Sequence, residues 1–119
     1  MPEISVVRLV KHTTEVSLID LKEALLKAVE KISELKLHRN DIIVHFPLEA
    51  MTRFTDEKDE IIIHVDCLFD KKERTVDIKR RLQTDLAQVC KSFYSDARVQ
   101  CTLRTVNEVS EIIIIDSDD

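Results

Sequence analysis

Histidine is the side chain best suited to acid-base chemistry near neutral pH, and two of the four histidines lie in apolar runs of the sequence. His45 lies within an apolar run, and His64 is followed two residues later by Asp66. Residues two apart in an extended segment share one face, so Asp66 could orient the His64 imidazole. A lone histidine in a strand is more often a hydrogen-bonded structural residue, so catalytic and structural interpretations of His45 and His64 both stay open.

The three cysteines do not form a metal-binding motif. Cys67, Cys90 and Cys101 are widely spaced, without a Cys-x-x-Cys pair, and each lies within an apolar pattern. Such thiols are more typical of small core side chains than of metal ligands. Three cysteines cannot all pair with one another, and no apolar signal segment precedes the first strand. We therefore expect a reducing, cytoplasmic location, with no metal and no cofactor.

The sequence contains no glycine, which restricts the kinds of enzyme that it can encode. Glycine-rich phosphate loops need a backbone at positive φ or in close contact with the ligand. Nucleotide-dependent enzymes are therefore not expected.

The charge balance argues against a general nucleic-acid or membrane-surface binder. The 119 residues include 18 basic and 23 acidic side chains, which give a net charge of −5. One basic run is interrupted by acidic residues and has no aromatic stacking surface, so we interpret it as a solvated helix face. That run comprises Lys71, Lys72, Arg74, Lys79, Arg80 and Arg81. No stretch approaches the ~20 apolar residues of a membrane span.

The length predicts a single domain, residues 1–119, with a mainly aliphatic core. Helical spacing of apolar residues predicts two helices, the first capped by Ser17 and the second capped by Thr75 and ending at Phe93 or Tyr94. Apolar and β-branched runs predict four core strands and a short fifth strand before an acidic end at 116–119. These strands are 4–10, 42–46, 61–69, 98–106 and 112–115.

The elements repeat as two β-α-β halves, about 3–46 and 60–106. In both halves nearly the same number of residues separates the first strand from its helix cap, and the return from helix to second strand is also similar. Right-handed crossovers would make the two strands of each half parallel. The fold class predicted is α+β, β-α-β-β-α-β, with both helices on one face of a four-stranded sheet.

The other face of the sheet, which we call the open face, needs a cover. Alternation in the fourth strand directs Val99, Cys101, Leu103 and Thr105 toward the helices, and Arg98, Gln100, Thr102 and Arg104 to the open face. The third strand contributes Ile62, His64, Asp66 and Leu68 to the open face. A mixed aliphatic and ionisable face is typical of a subunit interface that contains a polar pocket. We therefore expect an oligomer.

Several short motifs accompany this layout. The chain opens with Met-Pro-Glu-Ile-Ser-Val, contains Ile-Ile-Ile-His-Val at 61–65, and begins its second helix with Arg74 and Thr75. With the length and element order, these motifs resemble the tautomerase superfamily, and specifically the 5-carboxymethyl-2-hydroxymuconate isomerase branch, whose longer chains carry both β-α-β units. The resemblance spans residues 2–106 and implies a tautomerase-like fold.

The resemblance also implies a chemistry. In that family the initiating methionine is removed, and the exposed proline amine is the base that moves a proton in an enolisable keto acid. Pro2 is the matching residue. An α-amino group titrates near about 7.7–8.0, and nearby cations or burial lower its pKa further, which suits general-base catalysis. The implied substrate is a small carboxylated keto or enol acid, such as a 2-hydroxymuconate, and the implied assembly is a homotrimer.

Family members bind the substrate carboxylates through arginines, and here the sequence departs from the pattern. The second strand of that branch carries arginine, whereas residues 42–44 are Ile-Ile-Val, followed by a histidine. Cations from elsewhere would have to replace it. The candidate substrate-binding residues are Arg98, Arg104, Arg39, Arg8 and His45.

The tail supports an alternative of another class. Its Ile-Ile-Ile-Ile-Asp-Ser-Asp-Asp sequence, residues 112–119, resembles a SUMO-interacting motif, in which an aliphatic strand adds to a partner's sheet edge. Addition to a neighbouring subunit of a trimer is the other interpretation, because four consecutive isoleucines are otherwise an aggregation hazard. A catalytically silent relative that acts as an assembly or binding module is therefore the alternative to an isomerase.

Overall fold

The computed structural model describes residues 2–7, 15–47 and 60–106. In chain order, its strands and α-helices are β1 (Glu3–Val7), α1 (Glu15–Lys31), β2 (Ile43–His45), β3 (Glu60–Phe69), α2 (Val76–Phe93) and β4 (Arg98–Val106). Two 3-10 turns, Ser33–Leu35 and Arg39–Asp41, connect α1 to β2. The predicted fifth strand and acidic end, residues 112–119, lie outside the described residues.

The four strands form one mixed sheet in the order β2-β1-β3-β4. β1 is parallel to β2, and β3 is parallel to β4. The two halves join through the antiparallel pair of β1 and β3, in register from Glu3 opposite Asp66 to Val7 opposite Ile62. The α+β prediction of two β-α-β units is thus confirmed.

One aliphatic core lies between the helices and a single face of the sheet. Alternate residues of β1 and β3 are buried, which is the period-2 pattern of strands with one covered face. In β4, the predicted inward residues Val99, Cys101 and Leu103 do pack against this core. The helices contribute Leu21, Leu25, Val29, Leu82 and Leu86, all almost fully buried.

The second helix begins where the sequence predicted. The Thr75 hydroxyl accepts a hydrogen bond from the Ile78 amide at 3.3 Å, so it satisfies one of the free N–H groups of the first turn. The first helix differs from the prediction, since it already includes Glu15 and places Ser17 in its third position. A capping residue flanks the first helical residue, whereas Ser17 lies inside the first turn. Ser17 is therefore not the cap.

A β-bulge corrects the predicted face of one residue in β3. Cys67 takes a left-handed conformation, with φ 62°, and the register with β4 shifts between Val65 and Leu68. The extra residue reverses the alternation, so Leu68 points into the core and is fully buried. The prediction that Leu68 faces away from the helices was wrong for this reason.

Neither α1 nor α2, the α-helices of the described part of the chain, is long and apolar enough to cross a membrane.

Truncating a core side chain should test this packing. Leu86 is fully buried, so we expect Leu86→Ala to lower the free energy of unfolding by about 2–5 kcal/mol. Val76 is 63% exposed on the same helix, so Val76→Ala should change it by less than about 0.5 kcal/mol. Urea unfolding followed by circular dichroism measures both. Equal losses in the two variants would contradict the proposed core.

Candidate functional site

A cavity of about 270 Å³ opens at the start of β1, beside Pro2. Basic side chains dominate its ionisable groups, with three cations against one carboxylate. Its lining residues are Pro2, Lys36, Leu37, Asp41, Phe69, Lys71 and Arg74. A pocket of this size and charge can accommodate a small organic anion.

The sheet topology brings these residues together from three parts of the chain. Because β1 and β3 are antiparallel, the end of β3 at Phe69 lies next to the start of β1 at Pro2. Because β1 and β2 are parallel, the segment that leads into β2 arrives at the same end. The turns before β2 and after β3 therefore meet around Pro2 and supply the charged groups.

Pro2 is buried and held on both sides. Its carbonyl accepts a hydrogen bond from the Ile43 amide at 3.1 Å, which extends the β1–β2 pairing by one step. On the other side the ring borders an apolar void of about 10 Å³, lined by core residues such as Ile4 and Leu68. A void of that size holds one water at most, so the core side of the ring is closed. The charged cavity is the open side.

The two 3-10 turns place Lys36 and Asp41 at the cavity. Lys36 ends the first turn in a left-handed conformation, with φ 54° and ψ 42°, and its amide donates to the Ser33 carbonyl. In the second turn the Asp41 carboxylate accepts a hydrogen bond from the His38 amide at 3.1 Å. The backbone thus fixes where both side chains begin, while both remain exposed.

Arg74 supplies the buried charge of the site. Its side chain donates from Nη1 to the Phe69 carbonyl at 2.8 Å and from Nη2 to the Leu35 carbonyl at 2.9 Å. The residue is only 5% exposed. Burial lowers the pKa of the Arg74 guanidinium from its ordinary value, and the Glu73 carboxylate acts in the opposite direction.

The other predicted cations lie away from this cavity. Arg39 forms a bidentate ion pair with Glu23 of α1, and that hydrogen bond raises the pKa of Arg39 and lowers the pKa of Glu23. Arg98 and Arg104 are exposed on β4, on the face opposite the core. Arg8 lies outside the described residues.

His45 and His64 share the open face of the sheet. Ser5 of β1 is paired in register with His45 on one side and with His64 on the other. His64 continues this row through a 2.8 Å hydrogen bond between its Nδ1 and the Thr102 hydroxyl, while the His45 imidazole lies 4.0 Å from the Glu3 carboxylate. The His64 ring is thus fixed by a hydroxyl, and neither histidine lines the Pro2 cavity.

Two of the three cysteines, Cys90 and Cys101, have thiols whose pKa values do not favour the reactive thiolate. All three are free thiols. Burial raises the pKa of Cys90 to about 12, with a smaller effect from the neighbouring Cys101, and burial alone raises that of Cys101 to about 12. No group of three or more histidine, cysteine or acidic side chains is arranged to hold a metal ion among these residues.

Sequence reasoning missed the charged residues around Pro2. Lys36 and Asp41 were not singled out, because each lies in a connecting segment with no periodic pattern. Lys71 was noted only as part of a basic surface. Arg74 was noted only as the start of a helix and as part of a basic surface. The predicted parallel pairing of the first two strands held part of the missing signal, since it placed the segment before β2 beside the start of β1. The antiparallel pairing of β1 with β3, which brings the turn after β3 to the same place, was not predicted.

Comparison with solved structures identifies the fold. A macrophage migration inhibitory factor from Toxoplasma gondii is 18% identical, with 97% of each chain covered and a TM-score of 0.63. A 5-carboxymethyl-2-hydroxymuconate delta-isomerase is 11% identical over 92% of this chain and 85% of that one, with a TM-score of 0.65. A fused 4-OT that forms an asymmetric trimer is 12% identical over 88% of this chain and 86% of that one, with a TM-score of 0.68.

The chain therefore has the tautomerase-superfamily fold, as the sequence resemblance predicted. No protein-family model and no curated protein matches the sequence.

The raised pKa values predict slow thiol alkylation in the native protein. A thiol with a pKa of about 12 is roughly one ten-thousandth ionised at pH 8. Iodoacetamide should therefore modify Cys90 and Cys101 at least ~100-fold faster in guanidinium than in the native protein, because the thiolate is the reactive form. Peptide mass spectrometry over a time course measures each site. Similar native and unfolded rates would contradict the burial of these thiols.

Proposed function

We propose that this protein is a tautomerase or isomerase that uses the amine of Pro2, exposed by removal of Met1, as a general base on a small carboxylated keto or enol acid. The observation that carries this proposal is the position of Pro2, buried in the wall of a cavity with three cationic side chains and one carboxylate. The fold supports the same chemistry by analogy alone, since structures with this fold include a named delta-isomerase.

The surroundings of Pro2 would favour a neutral amine. A free α-amino group has a pKa near about 7.7–8.0, and both burial and nearby cations lower the pKa of an amine. Lys36, Lys71 and Arg74 are the nearby cations here. A neutral secondary amine can remove the proton of an enol hydroxyl as the carbonyl forms, and the ammonium can then return that proton to a substrate carbon. The rigid ring keeps the nitrogen in one orientation throughout.

The lysines are better placed than the predicted arginines to bind the substrate carboxylate. Lys36 and Lys71 both line the cavity and are exposed, so their ammonium groups are available to an anion. They would also stabilise the negative charge that develops on the substrate oxygen. Arg39 is committed to Glu23 in the described structure.

Arg98, Arg104 and His45 could serve a different role in an assembly. All three lie on the open face, which must be covered in a trimer built on that face. Binding of substrate by these residues would therefore require a neighbouring copy to bring its own Pro2 close to them. Arg8 stays a candidate in the same sense, as a cation late in the first predicted strand.

A homotrimer is the assembly that we propose. The open face combines aliphatic Ile62 with Glu3 and Asp66, which are register partners on β1 and β3, and with His45 and His64. Such a mixture is consistent with a subunit interface. Two fused 4-OT proteins with this fold are trimers, one asymmetric and one symmetric. The isoleucine segment 112–115 would add as a strand to a neighbour's sheet edge. The alternative remains a catalytically silent assembly or binding module that uses the same strand.

The proline mechanism predicts a large effect of blocking the amine. Inserting one alanine between Met1 and Pro2 converts the proline nitrogen into a non-basic amide, so 2-hydroxymuconate tautomerisation should fall by about 10²–10⁴-fold. The rate should fall less in Pro2→Ala, because an N-terminal alanine retains a primary amine. Ultraviolet absorbance of the enol measures the rates, and intact mass confirms that the wild-type chain begins at Pro2.

Unfolding curves and sedimentation serve as controls that both variants keep the fold and assembly. Wild-type activity that survives the alanine insertion would show that the proline is incidental. A wild type with a free Pro2 but no activity on several keto acids would instead favour the silent binding module.

The trimer proposal predicts an effect of removing the tail. Burying an isoleucine side chain is worth roughly 1.5–3 kcal/mol before ordering costs, so four of them matter to assembly. Deleting the residues after Val109 should therefore weaken the trimer and lower solubility. Sedimentation velocity at micromolar concentration compares the two chains, with a 116–119 deletion as the control that keeps the isoleucines. A full-length monomer, or a truncated chain that assembles equally well, would refute the proposal.

A further inference from the structure

Arg74 has an unusual environment for a charged residue. Among the described residues, Arg74 is the one buried residue with a polar or charged side chain, and it is 5% exposed. Its guanidinium donates hydrogen bonds to two backbone carbonyls. Burying a guanidinium without a bonded carboxylate is unfavourable, since carbonyls neutralise none of its charge. The contacts that the guanidinium makes indicate what it does.

The guanidinium joins two segments that are distant in sequence. Phe69 is the last residue of β3, and Leu35 is the last residue of the first 3-10 turn. Both segments line the cavity, through Phe69 itself and through Lys36, which follows Leu35. The planar fork of an arginine can hold two acceptors in a fixed geometry, which a lysine ammonium cannot reproduce.

The peptide group between Leu35 and Lys36 is held at both ends. Its carbonyl accepts from Arg74 Nη2, and its N–H donates to the Ser33 carbonyl at 3.1 Å. Fixing that peptide group fixes the backbone of Lys36, whose left-handed conformation is unfavourable for a residue with a Cβ. The Arg74 side chain thus contributes to the direction in which Lys36 leaves the backbone.

The other lysine of the cavity depends on Arg74 in a different way. The Arg74 amide donates to the Lys71 carbonyl at 2.9 Å and closes the turn after β3. Replacing the Arg74 side chain leaves that backbone hydrogen bond available. The side chain should therefore matter to Lys36 and not to Lys71, although both lysines line one cavity.

We propose that Arg74 is a positioning residue that holds the Lys36 ammonium at the Pro2 cavity through the Leu35 carbonyl. It acts through the backbone and not by binding the substrate itself. This inference rests on the proposed function for its kinetic consequence, but its structural consequence stands without any activity.

The structural arm uses the Lys36 backbone as its readout. In Arg74→Gln, the carbon chemical shifts of Lys36 should lose their left-handed signature, and its amide should exchange at least ~10-fold faster. Arg80→Gln removes an exposed charge from α2, the helix that follows Arg74, and should leave both unchanged. If Arg74→Gln does not fold, Arg74→Lys replaces it, since one amine cannot span two carbonyls. An unchanged Lys36 would overturn the proposal, whatever the kinetics.

The kinetic arm is a pair of double-mutant cycles on the KM for 2-hydroxymuconate. Lys36→Gln and Arg74→Gln should each raise KM roughly ten- to a hundredfold, as expected for loss of a charge-assisted hydrogen bond. The double variant should be no worse than either, because both remove the same contact. When Arg74→Gln is combined with Lys71→Gln, the two increases in KM should multiply instead.

Multiplicative effects in both cycles would overturn the proposal, since they would mean that Arg74 contacts substrate directly. The proposal would also be overturned if the KM effects multiplied for Arg74→Gln with Lys36→Gln but not for Arg74→Gln with Lys71→Gln. If the wild type proves inactive, the proposed function fails, and the same two cycles are measured on the dissociation constant of muconate, a dicarboxylate without the enol hydroxyl. If the wild type does not bind muconate, the cavity is not an anion site. A changed Lys36 backbone in Arg74→Gln would still support the positioning role of Arg74 in that case.

Discussion

The antiparallel pairing of β1 and β3 is the constraint on which the rest of the structure depends. It is the contact that joins the two β-α-β units into one sheet, because β2 pairs only with β1 and β4 only with β3 among the described strands. The same pairing determines that the end of β3 meets the start of β1. Pro2 consequently lies at a junction of chain segments, where turns from both halves can contribute side chains. The sheet thereby creates the site.

This arrangement explains how the site can lack an arginine on β2. The resemblance implied a cation on that strand, but Ile43 of β2 is half-buried and Ile42, just before it, is buried. Lys36 reaches the cavity from the turn before β2, and Lys71 reaches it from the turn after β3. A pocket assembled from turns can change the source of its charge without a change in the sheet, because turn residues are little constrained by core packing.

The fold could be predicted from the sequence because its signals are local. The alternating burial of β3 and the hydroxyl cap at Thr75 depend on residues within a few positions of each other. Leu68 could not be assigned from alternation, because a bulge at a non-glycine residue leaves no local signature. The cavity could not be predicted either: Lys36 and Arg74 meet through one backbone carbonyl, and that contact exists only in three dimensions.

The two left-handed residues of the described chain, Lys36 and Cys67, have a consequence for directed evolution. In a chain without glycine, replacing either residue by glycine is an obvious route to higher thermal stability, since glycine relieves the Cβ clash. At position 67 that replacement would leave every charge of the cavity in place. At position 36 it would delete a cation beside Pro2. Selection for heat resistance would therefore leave the cavity charges unchanged at position 67 but remove one of them at position 36.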